Sequence, residues 1–365
     1  MNIVINAVLF HSQPRGVGRY VNNLLSALAD LDNENNYFVY YGKWMKDYSF
    51  LKIKQNNFTF IELDIPNSKI RRNWFLAWKL PELCKKFNPD IFFLIDTQAI
   101  LKKPCKIVST IHDLAEFENK FKYSKFQALL RRIIVKKQAK LSDKIITVSN
   151  YSKESLIKHL KISGDKIHVI YNSVNLDKFK PDIAEPQKYF LFVGEIEVSK
   201  GLTTLLKAFN AMESKYKNDF HIEVVGECGN DYENVKKYIT ENGLTEKVNF
   251  NGYLGDSRLT NIYKYAYAFV FPSLFEGFGL PVIEAMASGV PVISSDSSSL
   301  PEVGGDAVLL FKTNDYRELC LQLTKIIENK DLRDAMISKG KLQVKKIIEK
   351  NDIAKDTLDL LVDSH

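Results

Sequence analysis

Short β-rich runs alternate with helical patterns along the whole chain, and this alternation restricts the fold more than any other feature. The first half contains runs such as NIVINA, IFFLI and KIITVS, separated by amphipathic stretches such as YVNNLLSALADL. The second half repeats the arrangement with YFLFVG, FHIEVVG and AFVFPS. Strands that alternate with helices favour parallel sheets covered by helices on both faces. We therefore expect an α/β protein with two doubly wound, Rossmann-like domains.

The chain length and one irregular segment indicate where the two domains meet. A chain of 365 residues exceeds one ordinary hydrophobic core. The segment VNLDKFKPDIAEPQK, which contains Pro181 and Pro186, has no sustained period and is typical of a linker. We expect an N-terminal domain over residues 1–180 and a C-terminal domain over residues 187–365, and leave open whether the last helix returns to the first domain. Two such sheets would hold a ligand in the cleft that the domains face across.

Cysteine spacing and the apolar runs exclude several classes of protein. The four cysteines lie far apart, without a Cys-x-x-Cys pair or a histidine cluster, at Cys84, Cys105, Cys228 and Cys320. Reduced thiols and no metal site are therefore expected. The opening MNIVINAVLF lacks a basic leader and a cleavage site, and no apolar run approaches the roughly 20 residues of a membrane span. We expect a cytoplasmic protein.

Charge is distributed unequally between the two halves. Residues 1–180 carry 30 Lys and Arg against 16 Asp and Glu. The whole chain carries 51 and 44, which leaves 21 and 28 for the second half. The first half is therefore expected to face an anionic partner, either a membrane surface or a phosphate-bearing acceptor. Nucleic acid is not expected, because no nucleic-acid-binding motif accompanies the charge.

The stretch SKFQALLRRIIVKKQAKL combines this charge with an apolar pattern. Five apolar residues recur at helical spacing, namely Phe126, Leu129, Leu130, Ile133 and Ile134. Five basic residues share the predicted helix, namely Arg131, Arg132, Lys136, Lys137 and Lys140. Such a helix either docks on an anionic membrane surface or packs in the core with a solvated basic face. The sequence leaves both alternatives open.

The segment FPSLFEGFGLPVIEAMASGVPVISS predicts a strand, a glycine loop and a short helix. The strand ends near Pro272, the loop contains Gly277 and Gly279, and Pro281 occupies an early helical position. Glycines allow a ligand to approach the backbone closely, and the N–H groups at a helix start bind anions such as phosphate. The segment therefore predicts an anion-binding loop.

Candidate ligand-binding side chains lie around this loop and near strands of the first half. Glu276 and Glu284 can accept hydrogen bonds from sugar or ribose hydroxyls, or they are acids favoured by the helix dipole. Gly16 and Gly18 are expected in a loop after the first strand, but GVGRYV lacks the third glycine of a dinucleotide-binding fingerprint. His112 ends the strand KIVSTI, where a histidine is either structural or faces a ligand.

Six motifs follow one another in a specific order over nearly the whole chain. They are PRGVGRY, TIHDL, KIITVSNYS, VIYNSVN, FVGEIEVSKGL and EGFGLPVIEAMASGVPVI. In this order they resemble the motifs of the retaining glycosyltransferases of family 4. The resemblance implies the GT-B fold, in which two Rossmann-like domains bind a nucleotide-sugar donor and an acceptor.

The resemblance also implies roles for individual residues. Those implied to be catalytic are Lys200, which would place its ammonium on the donor diphosphate, Glu276, which would contact the donor sugar, and His112, which would face that sugar from the other domain. The residues implied to bind the donor are Gly16, Gly18, Phe278, Gly279, Leu280 and Glu284, the last of these through the ribose. Asp113 would orient His112.

Two further features qualify the resemblance. Many members carry arginine where this chain has Glu195, so a second cation on the diphosphate is in doubt, which leaves the helix start near Leu280 and Arg19 to help. Asp30-Leu-Asp32 matches the metal-binding Asp-x-Asp pattern of another fold, but it ends an amphipathic helix. No metal and no cofactor are expected.

The resemblance leads to a specific functional hypothesis. A hexosyl group, with mannosyl or rhamnosyl favoured, would pass from a nucleotide-diphosphate sugar to a glycan or lipid-linked oligosaccharide with retention of the anomeric configuration. The context would be bacterial surface polysaccharide, O-antigen or capsule, with the enzyme peripheral on the inner face of the cell membrane. The alternatives are a sugar-nucleotide epimerase or a phosphorylase on the same fold, or a non-catalytic nucleotide-sugar-binding subunit.

Overall fold

The computed structural model describes residues 1–9, 13–14, 16–66, 69–174, 176, 178–179 and 185–364. Its contacts form two compact units, Met1–Ser173 with Lys350–His365, and Val174–Glu349. Several residues of the predicted motifs lie outside the described ranges, namely Arg15, Asn175 and, in the linker, Pro181.

The first unit is built on a parallel sheet of seven strands in the described ranges. They are β1 (Asn2–Asn6), β2 (Asn36–Gly42), β3 (Phe58–Leu63), β4 (Ile91–Leu94), β5 (Lys106–Thr110), β6 (Lys144–Thr147) and β7 (Ile167–Val169). The spatial order is β3-β2-β1-β4-β5-β6-β7, with Ile3 opposite Ile91 where β1 meets β4. The order of strands reverses at that pair, which opens a crevice at their carboxyl ends.

Six helices belong to the first part of this unit. They are α1 (Gly16–Leu31), α2 (Lys69–Trp74), α3 (Leu80–Cys84), α4 (Ala115–Glu118), α5 (Lys125–Leu141) and α6 (Asn150–Leu160), with a π-helical turn at Phe75–Lys79. A capping box begins α5: Gln127 N donates to Ser124 Oγ and Ser124 N donates to Gln127 Oε1. The Ser149 hydroxyl caps α6 in a similar way, by accepting from Ser152 N.

The second unit has a parallel sheet of six strands among its described residues. They are β8 (Tyr189–Val193), β9 (His221–Val225), β10 (Val248–Phe250), β11 (Ala268–Phe271), β12 (Val292–Ser295) and β13 (Val308–Phe311). The order β10-β9-β8-β11-β12-β13 reverses between β8 and β11. Every residue of β8, β11 and β12 is buried, as expected for strands with helices on both faces. The predicted pair of doubly wound parallel sheets is confirmed.

The helices of the second unit follow its strands. They are α7 (Leu202–Ala211), α8 (Ser214–Asp219), α9 (Tyr232–Glu241), α10 (Asp256–Lys264), α11 (Leu280–Ala287), α12 (Leu300–Gly304), α13 (Tyr316–Glu328) and α14 (Lys330–Lys350). The short 3-10 turn Val198–Lys200 lies between β8 and α7. It belongs to the candidate site described below.

The last helix, α15 (Ile353–Val362), packs in the first unit, against α1. Its apolar residues Ile353, Leu360 and Leu361 share a buried cluster with Leu24 and Leu28 of α1. None of the helices in the described ranges has the length and apolar character needed to span a membrane.

Candidate active site

A lysine and a glutamate form a short ion pair at the reversal point of the second sheet. Lys200 follows β8 and Glu276 follows β11, the two strands between which the order reverses. Lys200 Nζ lies 2.6 Å from Glu276 Oε1, and both side chains are mostly buried. Ligands of doubly wound sheets bind in the crevice at this point. The two residues that the sequence assigned to the donor site are therefore in contact.

A glycine brings the lysine loop against the glutamate loop. Gly201 ends the 3-10 turn with φ +67°, and a Cβ on it would lie 2.1 Å from the carbonyl oxygen of Pro272. A larger residue would push the two loops apart. Leu274 N donates to Ser199 O at 2.8 Å, which joins the same loops. The position of Lys200 is thus fixed by backbone contacts on both sides.

Serines hold Glu276 in place, and the sequence reasoning missed them. Ser273 Oγ donates to Glu276 Oε1 at 2.7 Å. Glu276 N donates to Ser298 Oγ at 2.8 Å, and Ser299 Oγ donates to Glu276 O at 3.0 Å. Ser298 has φ +50°, an uncommon backbone conformation for a residue with a side chain. For Ser298 and Ser299 the signal was the run SSDSSS, which begins in β12 and continues past its end.

The glycine loop enters α11 through a left-handed residue. Gly279 has φ +100°, and a Cβ on it would lie 2.7 Å from Leu300 Cδ2. Its neighbours Phe278 and Leu280 are buried, so their side chains pack in the unit. That their backbone meets the sugar or diphosphate stays a prediction. The start of α11 supplies the favourable end of a helix dipole there.

Glu284 lies on α11 and is nearly enclosed, with 3% of the residue exposed. Tyr263 of α10 donates its hydroxyl hydrogen to Glu284 Oε2 at 3.2 Å. Tyr263 is itself buried, so this hydrogen bond joins two side chains inside the unit. The sequence did not single out Tyr263, because its partner lies 21 residues away.

In the first unit His112 follows β5, close to the reversal of that sheet. Its Nε2 lies 3.1 Å from Ile95 O, and because a carbonyl only accepts, this nitrogen carries the proton. In the neutral ring Nδ1 is then an acceptor. Tyr20 of α1 packs edge-on against the ring at 4.7 Å between centroids. Burial raises the pKa of Tyr20 to about 12, so its phenol remains protonated. The arrangement fixes the orientation of His112.

The carboxylate of Asp113 accepts a hydrogen bond from the backbone. Its Oδ1 accepts from Ala115 N at 2.9 Å, which caps the first turn of α4. Burial opposes ionisation of Asp113, but Lys122 and the Ala115 N–H hold its pKa below the ordinary value. The described hydrogen bond of its carboxylate therefore stabilises the start of α4. That Asp113 orients His112 stays a prediction.

The glycines of the first motif lie in a helix, and the prediction of a loop there is wrong. Gly16 and Gly18 occupy the first turn of α1. A Cβ on Gly18 would approach the Tyr48 hydroxyl to 3.0 Å and Pro14 Cβ to 3.3 Å, so close packing explains this glycine. Gly16 has φ +26°, with open space where its Cβ would be. Any contact that they make with a donor or acceptor stays a prediction.

The Asp-x-Asp pair lies at the carboxyl end of α1. Asp32 accepts from Asn35 Nδ2 at 2.8 Å and from the Tyr37 hydroxyl, in the turn between α1 and β2. Asp30 lies in the last turns of α1. In the described ranges no three His, Cys, Asp or Glu side chains come together as a metal site would require.

Glu195 lies in the loop that also contains Lys200. It directly follows Gly194, whose N–H donates to Val225 O at 2.9 Å and so continues the β8–β9 ladder. Its side chain is partly exposed. The loop of Lys200 therefore carries a carboxylate at the position where an arginine would supply a second cation.

Two family models match the chain in succession. The model described as Glycosyltransferase Family 4 matches residues 14–178. The model described as Glycosyl transferases group 1 matches residues 173–343. The two matches together include every residue singled out above as a candidate for catalysis or donor binding.

Individual proteins are similar over different shares of their length. The chain is 34% identical over 181 residues to the O-antigen chain mannosyltransferase RfbU of Salmonella typhimurium, and the match spans 49% of each protein, about half of that relative. It is 27% identical over 338 residues to an enzyme of Campylobacter jejuni, over 87% of this chain and 90% of the relative. That enzyme is N-acetylgalactosamine-N,N'-diacetylbacillosaminyl-diphospho-undecaprenol 4-alpha-N-acetylgalactosaminyltransferase.

A solved structure shows the same architecture. Sucrose-phosphate synthase from Thermosynechococcus elongatus superposes with a TM-score of 0.80 over 98% of each chain, at 20% identity. At that identity the likeness is evidence for the fold alone.

Proposed function

The chain belongs to the family-4 glycosyltransferases of the GT-B fold, and on that premise we propose that it transfers a hexosyl group. The donor is a nucleotide-diphosphate sugar, and the acceptor is a glycan or a lipid-linked oligosaccharide. One observation carries the proposal: Lys200 and Glu276 pair at 2.6 Å at the reversal point of the second sheet, in loops that meet near α11. This arrangement combines a cation for a diphosphate with an acceptor for sugar hydroxyls.

The residues divide the work between binding and leaving-group departure. Glu276 accepts hydrogen bonds from hydroxyls of the donor sugar, and Glu284 accepts from the ribose. The backbone of Phe278, Gly279 and Leu280 meets the diphosphate. Lys200 then exchanges part of its contact with Glu276 for the diphosphate oxygens. Because negative charge grows on the leaving phosphate, this ammonium acts mainly in the transition state.

The transfer itself retains the anomeric configuration by attack on the face from which the nucleotide leaves. The bond between the anomeric carbon and the phosphate oxygen breaks with its electrons on phosphate. The acceptor hydroxyl oxygen forms the new bond, and its proton passes to the departing phosphate. Glu276 binds the donor sugar and does not act as a covalent nucleophile in this proposal; Lys200 and Ser273 bind its Oε1 and orient the carboxylate. His112 contributes Nδ1 as an acceptor for a sugar hydroxyl.

A mannosyl or rhamnosyl donor is favoured, and the product belongs to bacterial surface polysaccharide such as O-antigen or capsule. The 34% identical relative is an O-antigen chain mannosyltransferase, which supports this choice. The Campylobacter jejuni relative acts on a diphospho-undecaprenol glycan, which supports a lipid-linked acceptor.

The first unit docks on an anionic membrane surface through α5. Three apolar residues of that helix are strongly exposed, Phe126 at 76% and Leu129 and Ile133 at 57% each. The helix buries a different set of residues, so these side chains are outside the core. This observation favours docking over the alternative of a core helix.

The basic residues of α5 divide into two groups. Arg132 Nε donates to Glu116 O at 2.8 Å, and Arg131 pairs with the Glu116 carboxylate at 3.7 Å. Both arginines are thus used within the unit. Lys136 and Lys140 are exposed, at helical spacing from Ile133, and they supply the charge for an anionic leaflet.

Nucleotide release tests the proposed transfer. The protein is incubated with a panel of nucleotide sugars, with and without a lipid-linked acceptor, and the free nucleotide is measured. We expect acceptor-dependent release, highest with a mannosyl or rhamnosyl donor, and unchanged in EDTA because Lys200 is the charge on the diphosphate. Isomerised donor without acceptor would indicate an epimerase, and binding without release a non-catalytic subunit. NMR coupling constants of the product show whether the configuration is retained.

A further inference from the structure

We propose that a basic cavity between the ends of α5 and α6 binds the phosphate of an anionic phospholipid headgroup. The cavity has a volume of about 660 Å³. It lies in the first unit, and none of the donor-site residues lines it. The inference rests on the proposed membrane docking and specifies which lipid group the docked protein recognises.

The lining of the cavity carries one sign of charge. Four lysines line it, Lys136, Lys140, Lys161 and Lys166, together with His159. Among the described residues that line it, none is acidic. Several ammonium groups around one concave site favour a phosphate, which accepts several charge-assisted hydrogen bonds.

Three carboxylates near lining residues limit how much positive charge the cavity presents: Glu118, Asp165 and Asp143, the last of which interacts electrostatically with Lys166. Glu118 Oε1 lies 2.9 Å from His159 Nε2 and also accepts from Ser155 Oγ at 3.0 Å. Asp165 is exposed and accepts from Ser163 Oγ at 3.3 Å. Glu118 holds the histidine ring in place. Lys166 Nζ already donates to Ala139 O at 2.8 Å, so Lys136, Lys140 and Lys161 are the main cations that the cavity offers to an anion.

Lys161 occupies a backbone position at which glycine is the usual residue. It ends α6 with φ +54°, and its N–H donates to Ile157 O at 3.0 Å. Glycine adopts this left-handed conformation without strain, whereas lysine does so at a cost of about 1 kcal/mol. A side chain that faces the cavity gives a reason for lysine at this position.

The outward face of α5 connects this cavity to the exposed apolar residues. Phe126, Leu129, Ile133, Lys136 and Lys140 follow one another at spacings of three or four residues, so they share one face of the helix. The face begins apolar and ends basic. An amphiphile lying along it would place its acyl chains on the apolar part and its headgroup at the lysines, which is why we assign a phospholipid in place of a soluble anion.

The cavity lies at the sheet edge opposite the candidate catalytic residue. α5 ends just before β6 begins, and α6 ends before β7 begins, so both ends lie at the amino-terminal edge. His112 follows the carboxyl end of β5. The headgroup site therefore anchors the protein at a distance from the transferred sugar.

Vesicle partitioning of the full chain tests the proposal. One set of vesicles contains phosphatidylglycerol in phosphatidylcholine, and a second contains oleate at the same zeta potential. We expect wild-type protein to prefer the phosphatidylglycerol vesicles. The double variant Lys140→Gln with Lys161→Gln should lose this preference and bind them about tenfold less well than a matched control. The control, Lys125→Gln with Lys137→Gln, removes the same charge from α5 residues that do not line the cavity.

Several results would overturn the proposal. Equal losses in the two double variants, or no preference of wild type between the vesicles, would mean diffuse attraction only. The cavity variant could instead show a lower unfolding temperature and unchanged partitioning. That result would mean that the lysines stabilise the carboxyl ends of the helices, where cations are favourable. If inorganic phosphate displaces bound protein as well as short-chain phosphatidylglycerol does, the site takes a free anion.

The three hypotheses fail in different ways. Failed docking shows as wild-type protein that stays in the supernatant with every vesicle. Failed glycosyl transfer shows as absent nucleotide release, which is measured without vesicles. Failure of the headgroup site alone shows as docking that the cavity variant and its control reduce equally.

Discussion

At the residue scale, the pairing of Lys200 with Glu276 sets the charge of the proposed donor site. In the structure the ammonium is partly neutralised by the carboxylate and is held by loops that Gly201 brings together. In the proposed mechanism a diphosphate would share Lys200 with Glu276, and the pair would orient the lysine before the donor binds. Ser273 donates to the same carboxylate oxygen and so helps to hold Glu276 in place.

Replacement of this lysine should lower turnover. Lys200→Ala is expected to reduce kcat about a hundredfold, because a charge that stabilises the leaving diphosphate is lost. Binding of the nucleoside, which lacks phosphates, should stay the same. Steady-state nucleotide release and calorimetric titration measure the two effects. The control is Lys207→Ala, which changes an exposed lysine of α7, the following helix. Wild-type turnover in Lys200→Ala would remove Lys200 from the mechanism.

Glu284 should determine nucleotide affinity. Glu284→Gln keeps an oxygen that can accept from the Tyr263 hydroxyl, whereas alanine removes that acceptor. Loss of a charged acceptor for the ribose should weaken binding by about 1.5–3 kcal/mol, roughly tenfold to a hundredfold. Calorimetry with the nucleoside diphosphate measures it. Tyr263→Phe is the companion variant and should have a smaller effect; equal affinity of Glu284→Gln and wild type would rule out a ribose contact.

Glu195 offers a substitution that should improve binding. Glu195→Arg replaces a carboxylate with a cation in the Lys200 loop, so affinity for a nucleoside diphosphate should rise about fivefold, or about 1 kcal/mol. Glu195→Gln should give part of this gain. Affinity is measured by titration at low salt, since screening reduces the effect. A decrease with arginine would mean that Glu195 itself contacts the donor.

At the element scale, α5 uses its two sides differently. Val135 and Ala139 face the core, Arg131 and Arg132 bind the α4 region, and Phe126 and Ile133 face solvent. Its outward face therefore exposes apolar surface that a soluble helix would ordinarily cover with polar residues.

Removal of that surface should weaken membrane binding. Phe126→Ser with Ile133→Ser is expected to reduce partitioning onto anionic vesicles at least tenfold. Each of these apolar side chains would contribute about 1.5–3 kcal/mol when it becomes buried in the membrane. Binding of wild type should also fall as salt increases. Leu321→Ser, an exposed leucine on α13, is the control. Sedimentation that is unchanged in the α5 variant would contradict docking through this helix.

At the scale of the whole molecule, the ends of the chain meet in one unit. α15 lies against α1, although more than 300 residues separate them in the 365-residue chain. All three tryptophans, Trp44, Trp74 and Trp78, belong to the same unit. Tryptophan fluorescence therefore reports the stability of the unit that α15 completes.

A core substitution in α15 should be visible by that probe. Leu361 is fully buried, so Leu361→Ala should lower the free energy of unfolding of the first unit by about 2–5 kcal/mol. Urea denaturation followed by tryptophan fluorescence measures the shift in midpoint. Leu323→Ala makes an equal change in the core of the second unit and should shift this signal less. Equal shifts would mean that the units unfold as one.

The sequence predicted much of the architecture because its signals are local. Strand and helix periods recur within a few residues, so both parallel sheets followed from the alternation of runs. Lys200 and Glu276 were singled out because their motifs resemble those of family 4, and the structure shows that each follows a buried strand at the reversal point. The loop assigned to Gly16 and Gly18 was wrong, because glycine near a strand end suits a tight turn and a closely packed helix start equally.

Other features depended on contacts between distant segments, which no local pattern records. Ser298 binds Glu276 across 22 residues, and Tyr263 reaches Glu284 across 21. The same apolar spacing in α5 fits a core helix or a docking helix, because the spacing states which side chains share a face but not what covers it. By itself the sequence determined the elements and the ligand-facing ends of the strands; only the tertiary structure decided which partners hold each side chain and which apolar face remains exposed.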